Sequence, residues 1–145
     1  MNKLVGWLEW GKHDLPSIRA AEAVIKTIIG DGNYLYHHDD LMHNYIWQAM
    51  CLVREKRFDE AIEALKISYE HAVLFVQVLD QAKKTPLSYT CPVLNRLQFD
   101  GNDMTWSGTT TLTEDFFEYL TWKQFDALHD REDFQKLKEL PTRCW

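Results

Sequence analysis

One long helical stripe limits what this chain can become more than any other feature. Ala61, Leu65, Tyr69, Ala72, Phe75, Val76 and Leu79 recur at three- and four-residue steps to about Lys83, ahead of Pro86. Apolar residues at that period predict a helix of about 25 residues with a continuous buried face, which needs a partner helix along much of its length. The partner is legible just before it. Leu41, Tyr45, Ala49 and Leu52 share one face, and Ile46, Met50 and Val53 form a stripe beside it. A helix apolar over more than half its girth is expected to be sandwiched between neighbours. Asp39 or Asp40 reads as its start, which leaves His37 and His38 in a polar loop. Glu55-Lys56-Arg57-Phe58-Asp59 reads as the turn joining the two helices.

The remaining segments follow the same grammar. Leu4, Trp7 and Leu8 stand at helical spacing before Gly11. Asp14-Leu15-Pro16-Ser17 reads as a capped start with proline in the first turn. Ile18, Ala21, Ile25, Ile28 and Ile29 then form a stripe that Gly30-Asp31-Gly32-Asn33 ends with residues suited to positive φ. Between 85 and 112 the period breaks down. Asp100-Gly101-Asn102-Asp103 is a candidate hairpin turn between 94–99 and 104–107, with Phe99, Met104 and Trp106 expected to pack on the helices. Helix resumes near Thr113, where Phe116, Phe117 and Leu120 supply a buried face. A last unit begins at a capping Asp130 and stops at Pro141. The expectation is an all-α domain spanning 1–145, with about six helices and one irregular or hairpin insertion around 85–112.

Charge and motif content narrow the function classes. With 16 Lys+Arg against 22 Asp+Glu the net charge is −6, the wrong sign for a chain that itself grips nucleic acid. No apolar run approaches the roughly 18–20 residues of a membrane span, and the first ten residues lack a secretory h-region, so a cytoplasmic location is expected. Cys51, Cys91 and Cys144 form no CxxC pair, and the plain reading is reduced thiols. There is no GxSxG, no Gly-rich phosphate loop and no HExxH. Neither catalysis nor a cofactor is expected.

The stretch 41–72 resembles a tetratricopeptide repeat. Tyr45 and Ala49 occupy the large and small contact positions of its first helix, Phe58 the gap between the paired helices, and Ala61 the point of close approach. Leu65 and Ser68 depart from the usual aromatic and Ala, and no proline closes the unit. More widely, the long helix, then Tyr89-Thr90-Cys91-Pro92-Val93-Leu94-Asn95-Arg96-Leu97, then Phe125-Asp126-Ala127-Leu128-His129-Asp130-Arg131-Glu132-Asp133-Phe134 is similar to the C-terminal part of bacterial helix-turn-helix transcriptional regulators of the Xre (lambda-repressor-like) class. The resemblance implies a regulatory domain that senses a peptide or ligand, or dimerises. DNA would be reached only through a separate N-terminal domain of about 60 residues, and residues 1–30 hold no recognition-type helix. A free-standing protein–protein scaffold is the alternative, with a peptide or protein partner and no membrane.

Helical-repeat domains bind on a concave face. If Tyr45, Ala49 and Leu52 pack on the paired helix, then His43, Ile46, Trp47, Met50 and Arg54 fall on the inner side, offering aromatic and Met surface with Arg54 for a peptide carboxylate; the plainer reading packs Trp47 and Met50 under the 85–112 segment and pairs Arg54 with an exposed acid. A different class of site is conceivable at His37-His38-Asp39-Asp40 and His43. There Asp39 and His43 lie one turn apart and suit two metal ligands, with His37 or His38 as a third; the plainer reading is a capped helix start and no metal. Trp7, Trp10 and Trp145 near the termini either cover a partner surface or seal the bundle.

Overall fold

The computed structural model describes residues 14–103 and 110–142. Its elements run α1 (Leu15–Ile28), α2 (His37–Arg54), α3 (Phe58–Lys84), β1 (Leu87–Ser88), β2 (Gln98–Phe99), α4 (Leu112–Leu120), a 3-10 turn (Lys123–Leu128) and α5 (Glu132–Lys138). The fold is all-α, with the two short strands as its sheet. No helix among the described residues is long and apolar enough to cross a membrane. The expected segment around Leu4, Trp7 and Leu8 lies outside the described residues, as do Trp10, Met104, Trp106, Cys144 and Trp145.

Local chemistry explains most boundaries. Asp14 caps α1, its Oδ1 accepting from the Ser17 N–H at 2.8 Å. At the end of α2, Arg57 N–H donates to Leu52 O at 2.8 Å and Lys56 N–H to Val53 O at 2.9 Å, with Lys56 at φ 60°. That is a Schellman end with lysine at the left-handed position glycine usually takes. Two helix starts differ from expectation. α2 begins at His37, so His37 and His38 lie in its first turn, and Asp39 and Asp40 sit on the positive end of the dipole without capping it. The reason is upstream: Leu35, at φ 45°, turns the chain so that Tyr36 is already helical. α5 has Arg131, not Asp130, at its N-cap. α4 begins one residue early at a capping box, where Thr111 N–H donates to Glu114 Oε2 at 2.8 Å and Glu114 N–H to Thr111 Oγ1 at 3.3 Å.

The most extensive helix packing is between α2 and α3. Ala49, Ala61, Leu65 and Ala72 are fully buried there, and the small residues let the backbones approach. The main core gathers these helices with Phe116 and Leu120 of α4, Phe125 and Leu128 of the 3-10 turn, and Phe134 of α5. A second core joins Ala21, Ile25 and Ile29 to Leu41, Ala82, Tyr89, Cys91 and Phe99.

The second arm of the expected hairpin, 104–107, lies outside the described residues, and the first arm has a different partner. Gln98–Phe99 pairs antiparallel with the preceding Leu87–Ser88, in the register Leu87↔Phe99. The Asp100–Asp103 turn instead runs back onto the end of α3. Gly101 N–H donates to Ala82 O at 3.2 Å and Asn102 Nδ2 to Lys83 O at 3.0 Å, so the turn caps carbonyls that the helix end leaves open. A Cβ on Gly101 would lie 2.8 Å from Lys83 N and 2.9 Å from Leu79 O. Phe99 does pack on the helices, being 6% exposed.

Candidate functional site

On α2 the positions 43, 47, 50 and 54 recur at i, i+4, i+7 and i+11 and form its least covered face. Trp47 and Met50 are half-buried and Arg54 is exposed. Three of the five expected residues, Trp47, Met50 and Arg54, line one cavity of about 420 Å³ with Ile18 of α1, Cys51 of α2 and Gln124 of the 3-10 turn. The walls therefore come from three elements. Ile46 does not take part: it is fully buried in the main core, because one position off the stripe turns its side chain inward.

His43 sits on the same stripe, outside the cavity lining. Its ring packs edge-on against Tyr119 at 5.7 Å, and Tyr119 in turn meets Trp47 at 6.1 Å and Trp122 at 4.7 Å. An aromatic row thus runs from His43 past Trp47 along the flank of the cavity. His43 Nδ1 lies 3.0 Å from the Asp39 carbonyl oxygen and 3.1 Å from Asp39 Oδ1. Burial lowers the pKa of this imidazole, but hydrogen bonding and charge from Asp39, with Asp115 beyond, outweigh burial and raise it.

Arg54 Nη2 donates to Cys51 Sγ at 3.3 Å. Burial pushes the Cys51 thiol up despite that guanidinium, so the sulfur stays protonated and weakly nucleophilic.

The other histidines pair off separately. His37 Nδ1 meets Asp40 Oδ2 at 2.7 Å, while His38 Nδ1 meets Nδ1 of His71, on α3, at 2.9 Å. Among the described residues no three His, Cys, Asp or Glu side chains converge as metal ligands. The sequence cluster at 37–43 is therefore dispersed into three different pairings.

A polar cluster that the sequence reading missed crosses α1, α2 and α3. Glu22 takes hydrogen bonds from Lys26 at 2.5 Å, from Gln48 at 2.6 Å and from the Tyr45 hydroxyl. Gln48 also donates to Asn44 Oδ1, and Asn44 Nδ2 to Ile18 O at 2.9 Å. Burial works against the Glu22 carboxylate, yet these donors and the Lys26 charge hold its pKa below the usual value. The Tyr45 ring stacks on His71 at 5.8 Å, and Tyr34 meets His38 and His71 edge-on. Burial drives the pKa of both histidines down to about 4, aided at His38 by the charge of His37 and at His71 by those of His38 and Lys26.

One signal for this cluster was available. In a helical hairpin, residues equidistant from the turn face each other, and 38 and 71 stand nearly symmetric about Glu55-Lys56, as do Met42 and Ser68, whose O and Oγ are 2.8 Å apart.

No protein-family model matches the chain, and neither the curated proteins nor the solved structures yield a match.

Proposed function

We propose that this chain acts by binding rather than catalysis, as the regulatory domain of a helix-turn-helix transcriptional regulator. It holds a peptide, a small ligand or a partner protein at the α2 stripe. The observation that carries the binding reading is the convergence of Trp47, Met50 and Arg54 with Ile18 and Gln124 on one cavity. An occupant there touches α1, α2 and the 3-10 turn at once, so it favours whichever relative placement of those elements fits it best. That differential contact is what a regulatory ligand requires. The volume falls in the roughly 300–1,000 Å³ range of small-molecule sites. The regulator reading draws on the resemblance of 41–72, 89–97 and 125–134 to the Xre class. It places DNA contact in a separate N-terminal domain.

Two measurements test this. Thermal denaturation of the full chain is screened against a library of small molecules and short peptides, beside a Trp47→Ala/Arg54→Ala variant. The expected result is a set of ligands that raise Tm by a few degrees in the wild type and not in the variant. Ligands that stabilise both alike, or no ligand at all, would remove the stripe as a binding site. The intact mass of the endogenous protein tests the regulator reading: a species longer by about 60 residues supports it, and a native chain of the present length sinks it.

A further inference from the structure

We infer, extending the binding reading above along the α2 stripe, that the aromatic row of Trp47, Tyr119 and Trp122 takes a small quaternary ammonium compound, a choline-sized cation with methyl groups on its nitrogen. The rings come first. Tyr119 stands between the two indoles, inclined 72° to Trp47 and 65° to Trp122, at centroid distances of 6.1 Å and 4.7 Å. Rings in edge-on contact make corners. A cation in such a corner meets the negative faces of two rings within the roughly 6 Å over which that attraction acts. Trp122 is 36% exposed and belongs to neither of the two cores, so this end of the row is open to a ligand.

The surrounding charges set the sign. Burial, then the charges of Asp115, Asp39 and Glu118, raise the Tyr119 pKa, so three carboxylates act on this ring. Glu118 lies in the last turn of α4, where the helix dipole is itself negative and no basic residue sits. Positive charge is nearby but engaged or remote. His43, 5.7 Å from Tyr119, has Asp39 Oδ1 at 3.1 Å, and Lys123, next after Trp122, is exposed to water. Arg54 stands two turns beyond Trp47 and donates to Cys51 Sγ. The field at the row is therefore negative, in keeping with a net charge of −6. The engagement of the carboxylates selects the kind of cation. Asp39 faces His43, and Asp115 accepts from Thr110 Oγ1 at 2.7 Å, so both act on a ligand through charge more than by hydrogen bonding. A lysine-type ammonium is strongly hydrated, has three N–H groups to satisfy and gains little there. A nitrogen covered with methyl groups has no N–H to satisfy and rests them on the rings.

The test compares choline with 3,3-dimethylbutan-1-ol, which puts carbon in place of the nitrogen and so keeps the shape and loses the charge. The full chain is labelled with nitrogen-15 at its tryptophan indoles, of which there are six, and the Trp122 resonance is identified with Trp122→Phe. Choline is expected to move that resonance saturably, about fivefold or more tightly than the alcohol, the ratio that one exposed cation–aromatic contact commands. Glu118→Gln should weaken choline about twofold and leave the alcohol unchanged, with its far-UV circular dichroism unaltered. Equal affinity of the two compounds for the wild type overturns the inference. So does a shift that sodium chloride reproduces at the same ionic strength, or no shift with choline up to about 50 mM. Trp122 and Glu118 stand outside the cavity lining, so a negative result here leaves the binding reading to the separate thermal screen of the cavity.

Discussion

The contact between His38 and His71 makes a quantitative prediction about acid. Each imidazole is held neutral chiefly by burial, helped at His38 by His37 and at His71 by His38 and Lys26, with pKa values near 4 in place of 6.5. Both folded values are depressed, so the unfolded chain takes up protons first as pH falls, and stability is lost from about pH 6.5 downwards. Between pH 7 and 5 a shift from 6.5 to about 4 costs about 2 kcal/mol per histidine by linkage, or about 4 kcal/mol for the pair. Against a total stability of about 5–15 kcal/mol that is a large fraction. His43 acts in the opposite sense, since its pKa is raised, and the contribution of Glu22 is lost only below its ordinary value of 4.5. The clean measurement is therefore a difference. In His38→Phe/His71→Phe both partners become apolar rings of similar shape, which is close to neutral at pH 7 because neither polar group is left unpaired. Urea unfolding followed by circular dichroism at pH 7 and 5 should show the double variant losing about 4 kcal/mol less than the wild type between the two conditions. Equal losses would refute the reasoning, as would a His71 pKa near 6.5 in a proton NMR titration of the wild type.

Three further predictions follow from single contacts. Lys56→Gly relieves a left-handed lysine whose backbone already makes both Schellman bonds, and should raise the urea midpoint by the equivalent of about 0.5–1 kcal/mol; a lower midpoint would contradict that account of the turn. Gly101→Ala places a methyl 2.8 Å from a backbone nitrogen of α3 and should cost about 1–3 kcal/mol on the same assay, whereas wild-type stability would show that the insertion can lift off the helix at little cost. His43→Gln should lower stability at pH 6 by roughly 0.5–1 kcal/mol, discounted for a side chain 29% exposed. It should change little at pH 9, because a raised pKa contributes fully below 6.5 and fades as pH climbs through the folded value. A penalty equal at both pH values would assign His43 a packing role only.

Pattern and chemistry were legible to different depths, for a physical reason. The α2–α3 hairpin could be read because burial at a helical period leaves a long-range record in a short-range pattern: Ala49, Ala61, Leu65 and Ala72 carry it, and all are fully buried. The stripe at 43, 47, 50 and 54 was legible for the complementary reason, as the face left over once the packing face is assigned. That argument fixes a face to about one residue in each direction, which is why Ile46 was drawn into the site although it points into the core. The insertion was not legible because Asp100-Gly101-Asn102 suits two jobs. It can turn a hairpin or cap a helix, and in the structure it meets the open carbonyls of Ala82 and Lys83, which local sequence does not show. The polar cluster around Glu22, Tyr45 and His71 was hidden for a further reason. Each residue alone reads as a solvated or core position; the hairpin register brings Tyr45 and His71 together, and Glu22 reaches them from α1. A register argument run outwards from the turn, residue against residue, would have placed His38 opposite His71 from the sequence. It would also have shown that the imidazole at 38 is taken by a second histidine and lies away from the face where Arg54 and Trp47 open the cavity. The same geometry that hides a histidine pair inside the hairpin therefore leaves the opposite edge of α2 to line the cavity.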